Sequence, residues 1–277
     1  MQDALKESPA KRSMIFRRMT LLSKLAGLGP SLFLVSSAFA GEVFQDTIER
    51  TIPLRPDGTF SLQSIDGSVE IYGAEKNEVK VVAVRKAFSP ERLNEIQIQI
   101  SGQGDAVSIN TMAPPQPRWG FKDRSGTVDY IINLPQHARI ASLEVPNGDV
   151  LIHGVRGADV SAALGNGRMI LHNCYCDQTV RVQRGTLNLF FDWNDLRAIV
   201  VNGTVVNGNI RAVVPDDSSF RLHASSEYGR VASDFTEIQE RRRGGVSQID
   251  DVIGSAPLSK LLLRTVYGNI KISQSSW

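Results

Sequence analysis

The chain has 277 residues, 42% of them hydrophobic and 22% charged, with two cysteines and a formal net charge of +2. That is enough apolar material for one elongated domain or two small ones, and too little cysteine for a disulfide framework, so a packed core must carry stability. The first 40 residues hold six basic side chains (Lys6, Lys11, Arg12, Arg17, Arg18, Lys24) against Asp3 and Glu7, which leaves residues 41–277 with a net charge of −2. A near-neutral surface of mixed sign lacks the concentrated basic patch that nucleic acid requires, and no nucleic-acid partner is expected.

At the start of the chain, basic residues precede an apolar run from Leu25 to Val35 that is interrupted by Gly27, Gly29 and Pro30, and Ala38-Phe39-Ala40 stands before Gly41. The run is too short and too broken to span a bilayer comfortably, and the small-x-small triplet is what signal peptidase cleaves. Residues 1–40 therefore read as a secretory signal in preference to a retained anchor. The remainder is expected to be exported, periplasmic or envelope-associated, with no transmembrane segment once the signal is removed.

Residues 41–135 read as a less regular β subdomain. A strand over 51–63 with a turn at Pro56-Asp57-Gly58 is followed by Ile65-Asp66-Gly67-Ser68-Val69-Glu70-Ile71, then by alternating runs over 78–85 and 96–100. Between those runs, Ser89-Pro90-Glu91-Arg92-Leu93 has a cap residue and a proline at the first helical position, which predicts one helical turn. Residues 112–126, with Pro114, Pro115 and Pro117, form a loop that no strand interior would hold. A soft boundary falls near Pro135.

Residues 136–277 repeat. A turn residue, a glycine and apolar residues two and four places later recur around Gly148, Gly167, Gly185, Gly208, Gly229 and Gly268, with Gly67 an earlier copy. The first five of those six glycines are 19, 18, 23 and 21 residues apart, and the last step of 39 is about two more. After each glycine the apolar pairs are Val150/Ile152, Met169/Leu171, Leu187/Leu189 and Ile270/Ile272, and upstream the alternation continues with Leu143/Val145, Ala162/Leu164, Val180/Val182 and Leu261/Leu263. A period of two means strands, so each repeat reads as two short strands joined at a glycine-centred bend. The equivalence of the copies favours a stacked roll or β-helix-like solenoid of about 20-residue repeats over an antiparallel meander, which Asn-Gly turns also allow.

Two constellations stand out as chemistry. His153 and His172 both lie five residues after a repeat glycine, and His172, Cys174 and Cys176 alternate, so the four are expected to share a face. Imidazole and thiolate on one wall suit zinc or copper. Spacing alone favours the plainer alternative, two surface histidines beside a small buried or oxidised cysteine pair, in which a disulfide across Cys-Tyr-Cys would be strained. The other constellation is a set of carboxylates, Asp149, Asp159, Asp177 and Asp192, which read as falling at different repeat phases and so not as an acid–base pair.

Leu151 and Ile170, with Phe190 nearby, are apolar at nominally outward positions and mark a candidate binding stripe. Arg241, Arg242 and Arg243, in what reads as a long loop between Phe235 and Leu258, are a second candidate, for an anionic lipid or polymer. No nucleophile elbow, phosphate-binding loop or paired-histidine protease motif occurs, and no cofactor is expected.

Taken together, Ser64-Ile-Asp-Gly-Ser-Val-Glu-Ile-Tyr-Gly73, the strand Val128–Pro135, the Asn147-Gly-Asp-Val and Tyr267-Gly-Asn-Ile bends and Ser233-Asp234-Phe235 resemble the bacterial extracytoplasmic putative-adhesin family of unknown function, the toastrack-like β-strand-repeat proteins. The resemblance implies an all-β repeat domain outside the cytoplasm, with a role in adhesion or envelope-stress signalling and no catalytic residues. The expected function is that of a non-enzymatic protein presenting an extended surface to a protein or envelope component. An envelope-stress signalling partner and, further off, a carbohydrate-active β-helix enzyme are the alternatives.

Overall fold

Gly67, Gly148, Gly167, Gly185, Gly208, Gly268 and Gly229 stand in one row across the sheet. A Cβ added to Gly148 would lie 1.8 Å from the carbonyl oxygen of Gly67; at Gly167 it would meet Gly148 at 1.8 Å, and at Gly185 and Gly208 the preceding glycine's oxygen at 1.7 Å. Gly268 meets Gly208 in the same way, and Gly229 meets Gly268. Backbones approach this closely only where no side chain intervenes, and the φ of +135° at Gly167 is one that L residues rarely adopt. All seven glycines expected at bends are therefore fixed by packing, and all but Gly229 by a positive φ as well.

The structure, a computed structural model, describes residues 43–114, 125–195, 197–235, 241–243, 245–255 and 257–275, with 241–243 described by backbone alone. The secretory signal expected over 1–40 and most of the proline-rich loop therefore lie outside the described residues. Nearly everything described is strand. The front half contains β1 (Phe44–Gln63), β2 (Val69–Ala74), β3 (Glu78–Ala87), a short helix α1 (Pro90–Glu95), β4 (Gln97–Met112) and β5 (Thr127–Pro135). The repeats supply β6 (Arg139–His153), β7 (Asp159–His172), β8 (Asp177–Phe190) and β9 (Val200–Pro215). Last come β10 (Phe220–Tyr228), β11 (Val231–Ser233), β12 (Arg241–Arg243), β13 (Val246–Ile253), β14 (Ser259–Tyr267) and β15 (Ile270–Ser275).

These strands make one mixed sheet. From β6 to β9 the pairing is parallel and in register, Gly148 opposite Gly167, Gly185 and Gly208 in turn. β14 and β15 both pair in parallel with β9, and β10 pairs in parallel with β14. Antiparallel pairs are confined to the two ends: β1 with β3 and β3 with β5, and β10 with β13 and β12 with β13. β1 and β2 also pair with β6, so the boundary expected near Pro135 falls inside a continuous sheet. The described part of residues 41–277 forms one compact unit.

Strand length and strand placement differ from the sequence expectation at two places. Each repeat was expected to be two short strands, but β6, β7, β8 and β9 run straight through their glycines for 14 to 16 residues, because the ladder hydrogen bonds continue across the bend. What changes at the glycine is the parity of the buried positions. Leu143 and Val145 lie at odd distances before Gly148, whereas Val150 and Ile152 lie at even distances after it, and all four are buried. The segment expected to be a long loop after Phe235 contains β13, which alternates Ser247 and Ile249 inward and closes against β10.

Packing follows the register. One buried row runs Val69, Val150, Met169, Leu187, Ile210, Ile270 and Val231, and the next runs Ile71, Ile152, Leu171, Leu189, Ala212 and Ile272. Burying each valine, leucine, isoleucine or methionine of these rows contributes about 1.5–3 kcal/mol. Three residues before the glycine the row turns polar at one end: Thr265 Oγ1 donates to the Gly208 carbonyl at 3.0 Å and Ser226 Oγ to that of Gly268 at 2.7 Å. In α1, Ser89 accepts from the Arg92 N–H at 3.2 Å, as the cap and proline predicted.

Candidate functional site

Five residues after each glycine the side chain points away from the core. Parallel register then places Tyr72, His153, His172, Phe190 and Val213 side by side on one outward row. Ring centroids along it are 6.1 Å apart for Tyr72 and His153, 4.8 Å for His153 and His172, and 6.0 Å for His172 and Phe190. Leu151 and Ile170 are partners on the neighbouring outward row. Phe190, expected to extend that stripe, belongs to the histidine row instead. All three are half-buried, so the stripe is a laterally packed apolar strip with polar flanks such as Asn188.

The histidines are held in place. His153 Nδ1 lies 3.3 Å from His172 Nδ1, and His172 Nε2 lies 2.8 Å from Asp192 Oδ2. Asn173 secures Asp192 through side chain and backbone, donating from Nδ2 to Oδ2 at 2.8 Å and accepting from the Asp192 N–H at 2.9 Å. Burial alone would raise the Asp192 pKa, but the hydrogen bonds from Asn173 and His172 outweigh it and hold the pKa below its ordinary value. Burial, reinforced by the neighbouring His172, lowers the pKa of His153.

The expected four-residue face is not formed. Strand β7 ends at His172, Asn173 takes a left-handed conformation with φ +53°, and Cys174 and Cys176 turn into the core. Alternation fails because that one residue reverses the chain; a short polar side chain such as Asn tolerates the conformation. Both cysteines are buried free thiols. Burial pushes the Cys174 thiol up to about 12 and raises that of Cys176 as well, the opposite of what a thiolate ligand needs. Among the described residues no group of three or more His, Cys, Asp or Glu is placed to hold a metal ion.

The carboxylates do not all fall at different repeat phases. Asp159 and Asp177 both precede their glycines by eight residues, so they share a repeat phase and pair directly in the ladder. Arg139 Nε occupies Asp159 at 2.6 Å and the Val200 N–H donates to Asp177 at 2.8 Å. Of the arginine run, the β12 backbone pairs with β13, and the side chains of Arg241, Arg242 and Arg243 lie outside the described residues.

Two aromatic groups escaped the sequence reading. At the corner after β7 and β8, Tyr175 packs on Trp193 with centroids 5.1 Å apart and donates to the Trp193 carbonyl at 2.7 Å, while the Arg156 guanidinium lies over both rings. At the other end Tyr228 and Tyr267 stack at 4.8 Å with their planes 10° apart, and both are more than half exposed. The signal for that stack was present, since each tyrosine immediately precedes a repeat glycine. Beside it lies an open groove of mixed character lined by Asn202, Thr204, His223, Gln248, Val246 and Leu262.

No family model matches the chain, and no curated protein matches it in sequence. Solved structures do. A putative cell adhesion protein from Clostridium sporogenes aligns over 83% of this chain and 100% of its own length, with a TM-score of 0.51 at 15% identity. A putative adhesin from Bacteroides fragilis covers 82% of this chain and 97% of its own, at 12% identity and a TM-score of 0.29. A putative lipid binding protein from Parabacteroides distasonis covers 83% and 97%, at 8% identity and a TM-score of 0.31. The first likeness is one of fold, and it agrees with the resemblance read from the bends and strands. The other two have TM-scores too low to bear on it. Among the described residues no helix is long and apolar enough to cross a membrane.

Proposed function

We propose that this is an exported, non-enzymatic β-repeat protein whose stacked, roll-like strands present an extended binding surface to a protein or envelope component, in an adhesin-like role. The observation that carries the reading is the in-register outward row from Tyr72 through His153 and His172 to Phe190, flanked by Leu151 and Ile170. Successive strands add equivalent side chains at a spacing of about 4.8 Å, which builds a long surface of repeated outward rows. Such a surface suits a macromolecular partner, whereas small-molecule chemistry favours a concave pocket with convergent polar groups. The putative cell adhesion protein of the same fold supports the same direction.

Copurification from the cell envelope after in vivo crosslinking tests the proposal, together with N-terminal sequencing of the recovered chain. A discrete partner and a start at Gly41 are expected. Recovery from the cytoplasm with an intact first 40 residues would overturn export. A turnover activity lost on a single polar substitution would overturn the non-enzymatic reading, because an extended surface loses affinity by degrees unless a hot spot is hit.

A further inference from the structure

His153 and His172 are direct partners in the parallel ladder of β6 and β7, and their Nδ1 atoms lie 3.3 Å apart. Two imidazole nitrogens, each about 2.0–2.1 Å from one tetrahedral ion, stand roughly 3.3–3.4 Å from each other. The pair thus already has the separation of two ligands on a common zinc ion. A square-planar ion would need the nitrogens at roughly 2.8–3.0 Å, which this rung does not provide without movement.

The far side of His172 settles which nitrogen is free. Asp192 Oδ2, 2.8 Å from Nε2, accepts a proton held there, so the neutral ring carries its lone pair on Nδ1, the atom facing His153. Asn173 holds that carboxylate through one further hydrogen bond from Nδ2 to Oδ2 and accepts a second from the Asp192 backbone N–H. A carboxylate on the second nitrogen is the arrangement that orients metal-binding imidazoles and raises their basicity. In the metal-free pair His153 Nδ1–H donates to His172 Nδ1, so His153 Nδ1 also offers a lone pair once that proton moves to Nε2. The His172 side chain is 34% exposed, which leaves solvent access to the shared edge.

We propose that His153 and His172 form a two-imidazole site for a zinc-like divalent ion on the outward face of β6 and β7, with water completing its coordination. Cys174 and Cys176 take no part, since both lie in the core. With two protein ligands, where closed structural sites have four, binding is weak and exchangeable. The open positions accept a further oxygen or nitrogen donor, so an ion here would add directional chemistry to an otherwise apolar strip. This site stands independently of the adhesin-like reading, since it rests on the geometry of one rung.

Isothermal titration of the untagged protein with zinc chloride, and separately with magnesium chloride, tests it. One zinc per chain and no magnesium binding are expected. His153→Ala or His172→Ala should weaken zinc binding at least tenfold, Asp192→Asn several-fold, and His223→Ala, on β10, not at all, with circular dichroism confirming the fold of each. A histidine-selective 1H–15N spectrum of the unaltered chain should place zinc on Nδ1 of both rings. Absence of saturable binding up to millimolar zinc, full binding by the two alanine variants, or zinc on Nε2 would each overturn the proposal.

Discussion

Replacing Gly167 with alanine tests whether the glycine row holds the sheet together. The new Cβ would lie 1.8 Å from the Gly148 oxygen, against 3.4 Å for the start of ordinary contact, so β6 and β7 would have to part by about 1.6 Å. Strands normally sit about 4.8 Å apart, and a displacement of that size removes the ladder hydrogen bonds on either side, each worth about 0.5–1.5 kcal/mol. Left-handed backbone at a residue with a side chain adds about 1–2 kcal/mol. With one such bond lost on each side, the sum is about 2–5 kcal/mol, or a fall in Tm of roughly 4–20 °C for a chain of this size. Gly104→Ala is the control: its φ is +67°, but nothing lies within 4 Å of the added carbon, so only the backbone cost of about 1–2 kcal/mol applies. Thermal and urea denaturation of the two variants decide the matter. Equal shifts would refute the claim that close backbone approach, more than conformation, fixes these glycines.

Further expectations follow from the core and the charged ladder. Cys174 and Cys176 should react with a thiol reagent only after denaturant is added, because burial holds both pKa values high; rapid labelling of the native protein would contradict their placement. Asp129 accepts from the Ser68 N–H and hydroxyl at 2.8 Å and pairs with Lys86 at 2.6 Å. Burial would raise its pKa, but these partners lower it below the unfolded value of about 3.9. Its stabilisation is therefore present above pH 4 and is lost as pH falls through the lower folded value, so Asp129→Asn should cost about 1 kcal/mol at pH 7 and less near pH 2. A cost independent of pH in urea titrations would show that the charge does not matter.

Much of the architecture was legible because one constraint recurs. Val150, Met169, Leu187 and Ile270 announced their shared row through a fixed distance from glycine, and the same offset aligned His153 with His172. Strand direction was harder, since Asn-Gly serves a hairpin as readily as a bend; the parallel register rests on contacts between residues some 20 apart. Local alternation misled where one residue left the strand region: Asn173 sent Cys174 to the core while His172 stayed outside. Asp192 escaped notice as a partner of His172 because the contact depends on the path taken after Phe190, which no periodicity describes. The Tyr228–Tyr267 stack and the Asp159–Asp177 pair were both within reach, since counting back from each glycine gives them the same offset.

The binding role is tested most directly by position-specific photocrosslinking in living cells, with a light-activated residue placed in turn at Leu151, Ile170 and, as a remote surface control, Lys76. The outward strip should yield one discrete adduct from Leu151 and Ile170 and none from Lys76. No adduct from the strip, or the same adducts from all three positions, would contradict the account.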